Sequence, residues 1–124
     1  MEPRREHPIT IAPNPNRVRV QFNGRVVADT TRALTLKEGS LPPVQYIPRE
    51  DADMSLLERT AQKTHCPYKN DAAYYTIRAG GRAAENAVWT YEEPYPAVAA
   101  IKGHLAFYPD RVDRIDELPA SPRG

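Results

Sequence analysis

The densest run of reactive side chains is Thr64-His65-Cys66-Pro67-Tyr68-Lys69-Asn70-Asp71. A thiolate is a strong nucleophile, and an ammonium close by favours it over the thiol. Cys66 followed closely by Lys69 offers that pairing, with His65 or His104 as a base and Asp71 alongside. The competing reading is an inert cysteine that packs as a small hydrophobe, with Lys69 in solvent. That reading is favoured, because free cysteine is among the most buried residue types.

A second set is cationic and hydroxylic. Arg32, Arg49 and Lys69, with Thr64 and Tyr46 as donors, would clamp a carboxylate or phosphate if converging strands brought them together. Against this, each arginine could cover its own surface or pair with Glu50, Asp51 or Asp53. Those acids, with Asp71, would hold Mg²⁺ for a nucleotidyl transfer only if two of them met in space. Capping of a short helix by Asp51 is the simpler expectation. The chain has no Gly-x-x-x-x-Gly-Lys or Gly-x-Gly-x-x-Gly loop. His7, His65 and His104 show no metal-ligand spacing, so neither metal nor cofactor is assigned. Trp89, Tyr91, Tyr74 and Tyr75 could stack on a base or sugar, although cross-strand aromatics more often form core pairs. In a regular strand Tyr74 and Tyr75 point opposite ways, so at most one is expected in the core.

These groups must be positioned by short strands. Val18, Val20 and Phe22 alternate with Arg17, Arg19 and Gln21, then Asn23-Gly24 leads into Arg25-Val26-Val27-Ala28-Asp29. Period two followed by Asn-Gly predicts a hairpin with a type I′ turn. Further strands are expected at Arg32–Leu36, Val44–Ile47, Met54–Thr60, Ala72–Arg78, Ala87–Tyr91 and Leu105–Tyr108, with Arg111–Ile115 extending the sheet. The Tyr75 and Trp89 strands are expected to form a hairpin across residues 79–86. Short helical segments suit residues 49–53 and 96–102. Many short strands and little helix predict an all-β or β-dominated fold.

The bounds of the folded unit follow from proline. Four of the 13 prolines fall in the first sixteen residues, and Pro119 and Pro122 fall near the end. Proline cannot donate to a ladder. Residues 1–16 are therefore read as a proline-rich tail, 17–115 as a single β-rich domain and 116–124 as a flexible tail. Lys and Arg number 17 against 16 Asp and Glu, a net charge of +1. That balance predicts no strong attraction to nucleic acid or an anionic membrane. No apolar run suits a membrane span or a secretory signal, so a soluble cytoplasmic protein is expected. A lone Cys66 permits neither an intrachain disulfide nor a cysteine-rich zinc site.

Four blocks carry a family resemblance. They are Phe22–Asp29 continuing to Arg32-Ala33-Leu34, Pro43–Asp51, Thr64–Tyr75, and Ala87–Tyr91 continuing to Ile101 and Ala106-Phe107-Tyr108. In order and spacing the chain resembles domain-of-unknown-function family 427. The resemblance implies a β-tent-like pair of small antiparallel sheets meeting at an angle, with one or two short helices. Some β-tent relatives hold zinc between cysteine pairs, which a single cysteine excludes here. The family has also carried a nucleotidyltransferase label. It usually has glycine where this chain has Asn70, and asparagine tolerates the same left-handed backbone.

Three functions are weighed. The first is a module binding a small anionic or aromatic, nucleotide-like ligand in a cleft between sheets, lined by Arg32, Tyr46, Arg49, Thr64, Cys66, Lys69 and Trp89. The second is an enzyme using Cys66, or a metal held by Asp51 and Asp71. The third is a structural or partner-binding domain.

Overall fold

The computed structural model describes residues 8–119. Ten strands form three antiparallel sheets. The first sheet has the order β1 (Ile9–Pro13), β4 (Leu34–Glu38), β5 (Val44–Tyr46). The second runs β10 (Arg114–Leu118), β2 (Arg17–Phe22), β3 (Arg25–Thr30). The third runs β6 (Leu57–Cys66), β7 (Asn70–Ala79), β8 (Arg82–Thr90), β9 (Leu105–Phe107). The first and third sheets join at a seam: Ile47, just past β5, exchanges backbone hydrogen bonds of 2.8 and 2.7 Å with Leu105 on β9. Three small sheets thus replace the expected pair, with the first and second packing on opposite faces of the third.

Local chemistry explains the turns. Asn23 and Gly24 adopt φ of 51° and 77°, the left-handed pair a type I′ hairpin needs. Asn23 also donates its side-chain amide to the carbonyl of Ala79 at 2.8 Å, tying this turn to the end of β7. Gly80 accepts that approach only because it lacks a side chain: a Cβ there would lie 2.6 Å from Asn23 Nδ2. Val18, Val20 and Phe22 are buried as the alternation predicts.

The strands reach further than the proline pattern suggests. Ile9–Pro13, expected in the tail, forms β1 and pairs with β4. Ile9 and Ile11 supply a period-two apolar face, and Pro13 is tolerated because β1 is an edge strand. Asp116, Glu117 and Leu118, also expected in a tail, complete β10 against β2. The rest of the expected tails, residues 1–7 and 120–124, lies outside the described residues. Met54–Leu56 is a 3₁₀ turn rather than strand, capped by the Asp53 side chain accepting from the Ser55 amide at 3.1 Å; β6 starts only at Leu57. The β7–β8 turn is tight, at Gly80-Gly81, rather than spread over residues 79–86. Residues Pro96–Ile101 form the expected short helical segment, as 3₁₀ turns.

Two cores flank the third sheet. Tyr75, Ile77 and Ala79 of β7 pack with Val18, Val20, Phe22 and Phe107 towards the second sheet. Ala72 and Tyr74 of the same strand pack on the other face with Leu36, Tyr46, Tyr91, Val98 and Ile101. Tyr74 and Tyr75 are therefore both buried, contrary to the expectation that one would be exposed. Covering both faces of β7 removes the wet side that alternation presupposes.

Candidate functional site

The Cys66–Lys69 turn joins β6 to β7 and is built around Asn70, whose φ is 90°. Its side-chain amide donates to the carbonyl of Glu93 at 2.8 Å, which anchors the left-handed residue. Lys69 does not lie in solvent: it is 6% exposed, and its ammonium donates to Glu38 Oε1 of β4 at 2.7 Å. The ammonium also lies 3.5 Å from Cys66 Sγ and 5.8 Å from the centre of the Tyr91 ring. Cys66 is half-buried against the second core. The pair fastens the first sheet to the third, and the ammonium is already committed to a carboxylate. Burial raises the pKa of Tyr46 and Tyr91 well above the ordinary phenol value, and Glu38 and Cys66 nearby add to this. Both phenols stay neutral hydrogen-bonding groups.

Two other predicted residues sit on this hairpin. Thr64 is exposed, with its hydroxyl 2.8 Å from that of Tyr74. Asp71 is paired with His65 Nδ1 at 2.8 Å in solvent.

Arg32 and Arg49 come together elsewhere. With Lys102, His104 and Glu50 they border an open groove of about 380 Å³ beside the Ile47–Leu105 seam. Arg49 donates to the Tyr75 hydroxyl at 3.0 Å, and Arg32 pairs with Asp51 at 3.1 Å. Asp51 also accepts from Thr30 Oγ1 at 2.7 Å, so it holds a surface network; it is the last residue of the 3₁₀ turn after Pro48, which has no side-chain cap, and does not cap it as expected. On its other side Arg32 borders a hollow of about 610 Å³ with Arg17 and Asp29. There Arg17 pairs with Asp29 and Arg32 with Asp51, and the hydrogen bond from Arg17 holds Asp29 below the usual carboxylate range.

Trp89 lines a third place, a groove of about 640 Å³ where all three sheets meet. Val18 and Val20 of β2, Ile115 and Glu117 of β10, Val44 and Gln45 of β5, and Phe107 of β9 form its walls, with Leu41, Pro42 and Pro43 at one side. Trp89 is held by two aromatic neighbours. Its indole N–H donates to the Tyr46 hydroxyl at 3.2 Å, and its ring centre lies 4.4 Å from that of Tyr108. The polar end is organised by Asn14, only 5% exposed. Asn14 Nδ2 donates to Gln45 Oε1 at 2.9 Å and to Glu117 Oε2 at 3.1 Å, and Thr35 Oγ1 donates to the same Gln45 oxygen at 2.9 Å. Asn16 Nδ2 adds a second bond to Glu117 Oε2, at 2.9 Å.

The seven predicted ligand residues thus fall into separate places. Tyr46 touches Trp89, Cys66 touches Lys69, Arg32 and Arg49 share the seam groove, and Thr64 stands on the exposed side of β6. Among the described residues, no three of His, Cys, Asp and Glu converge as a metal set would require, and Asp51 and Asp71 keep different partners.

A family model described as Domain of unknown function (DUF427) matches residues 10–117, from β1 to β10. The chain belongs to the DUF427 family. No curated protein matches it. In this DUF427 domain no helix among the described residues is long and apolar enough to cross a membrane. The matched span also takes in Glu117, which lines the three-sheet groove, and Asn14, which holds it; proline content had assigned both to tails. Sequence reasoning missed them, along with Gln45 and the Leu41-Pro42-Pro43 wall. The one signal was the Ile9-Thr10-Ile11-Ala12 alternation, which marks a strand ahead of Asn14. Lys102 and His104, which join Arg32 and Arg49, gave no signal, because only the seam places them there.

Proposed function

We propose that this DUF427 domain is a binding module that takes a small ligand with an apolar or aromatic body into the groove between its sheets. One observation carries the reading: the groove is lined mainly by apolar side chains and keeps two large ones, Leu41 and Ile115, 55% and 37% exposed. Leaving such side chains in water forgoes burial energy, and contiguous apolar surface with a few oriented polar groups is the usual character of a ligand pocket. A volume of about 640 Å³ suits one small molecule.

The test is a fragment titration followed by backbone amide shifts, with thermal unfolding in parallel. Aromatic fragments are expected to move Val44, Gln45, Phe107 and Ile115 and to raise the unfolding temperature, because a ligand that binds only the folded state stabilises it by mass action. Absence of both effects at millimolar fragment would refute the reading.

A second reading is favoured by the seam groove. Arg49, Lys102 and His104, beside an Arg32 shared between Asp51 and Glu50, suit a small anion such as a phosphate or nucleotide. Inorganic phosphate and nucleotides should then shift Arg49 and His104 and leave Phe107 unmoved; no response at low salt removes this reading. The enzyme alternative has the weaker support, since the Lys69 ammonium that would activate Cys66 is spent on Glu38.

A further inference from the structure

We infer that the three-sheet groove selects an apolar amine: a compact hydrocarbon or aromatic body carrying a protonated nitrogen. The inference rests on the groove reading above and adds the charge of its occupant. Among the described residues Glu117 is the one ionisable side chain in the lining. Its neighbours are unusual for a carboxylate. Asn14 and Asn16 both donate to Oε2, at 3.1 and 2.9 Å, and these are neutral amides. They fix the carboxylate without cancelling its charge.

The rest of the polar end sharpens the choice. The Gln45 carbonyl already accepts from Asn14 and from Thr35, so it has no lone-pair direction left for a ligand. The unused acceptor capacity is on Glu117. An anion would meet a like charge, a neutral hydroxyl would gain the wall and an ordinary hydrogen bond, and an ammonium gains the wall and a charge-assisted hydrogen bond. Asn14 is a positioning residue here: it touches Gln45 and Glu117 at once and is itself buried.

The experiment compares three probes of one shape, 2-phenylethylamine, 2-phenylethanol and phenylacetate. Each is titrated at pH 7 and low salt into the full chain and followed by amide shifts. The amine should bind about five- to tenfold more tightly than the alcohol, the range between an exposed ion pair and a charged hydrogen bond. The acid should bind most weakly. Glu117→Gln keeps an acceptor for Asn14 and should bring the amine and alcohol within about twofold of each other, mostly by weakening the amine. Should Glu117→Gln fail to fold, Gln45→Glu tests the same idea in reverse: a second carboxylate at the polar end should widen the preference for the amine.

The outcomes separate the two claims. An alcohol that binds as tightly as the amine at the same resonances overturns the amine inference and leaves the groove reading standing. Groove resonances unmoved by all three probes and by neutral fragments overturn both. Shifts that depend on protein concentration without ligand, with a dimer in sedimentation, make a second copy of the chain the occupant and also overturn the inference.

Discussion

Replacing Glu38 with Gln breaks the most buried ion pair among the described residues. The Lys69 and Glu38 side chains are 7% and 14% exposed and meet at 2.7 Å. Removing one member of a buried pair strands the other charge, at about 3–5 kcal/mol. Glutamine retains an acceptor for the ammonium, so the lower end applies, about 3 kcal/mol. At about 3–5 °C per kcal/mol for a domain of this size, the midpoint should fall by about 10–15 °C. Urea unfolding followed by Trp89 fluorescence reads the change directly. A paired replacement, Glu38→Met with Lys69→Met, removes both charges and fills the space with hydrocarbon. It should recover to within about 1 kcal/mol of the parent, about 2 kcal/mol more stable than Glu38→Gln. If Glu38→Gln costs less than about 0.5 kcal/mol, the pair is hydrated in solution and does not staple the first sheet to the third.

Tyr46→Phe leaves the Trp89 indole N–H without its acceptor and should cost about 1–2 kcal/mol in urea unfolding, whereas Tyr95→Phe at the surface should cost nothing measurable. Asn70→Ala should cost about 1–2 kcal/mol, because alanine at φ 90° is strained and the bond to Glu93 is lost; Asn70→Gly should cost less, since it relieves the backbone. The folded state raises the phenol pKa of Tyr46 and Tyr91, chiefly by burial, and burial pushes Tyr108 up to about 12, helped by its hydrogen bond with Tyr74. Their contribution to stability is complete below the unfolded value of about 10 and is lost as pH rises through the folded values. An absorbance titration should therefore show these phenols ionising late, with unfolding; normal titration of all tyrosines in the folded protein would contradict the burial.

Much of the fold was written in local pattern. The Asn23-Gly24 hairpin needed only alternation and a turn that tolerates positive φ, and all-β character followed from strand spacing. What failed was whatever depended on a partner far along the chain. Ala72-Ala73-Tyr74-Tyr75-Thr76-Ile77 is nearly continuous in apolar character, the mark of a strand covered on both faces, yet was read as a one-sided strand. Lys69 looked solvated because Glu38, its partner, lies on another sheet. Arg32 and Arg49 border one groove while Lys69, grouped with them by residue type, lies elsewhere, and the side chains that complete the groove arrive on the approach to β9. Asn14 and Glu117 were discarded with the prolines around them, although an edge strand accommodates proline.

The bond from Asn14 to Glu117 spans 103 positions of sequence. It reinforces the β2–β10 ladder that closes the same long loop, a closure that is entropically costly and should follow the local hairpins. Whatever is fastened last is also among the first parts to loosen. The polar wall of the groove would then come and go with that closure, and an occupant resting against Glu117 would hold β10 to the segment between β1 and β2.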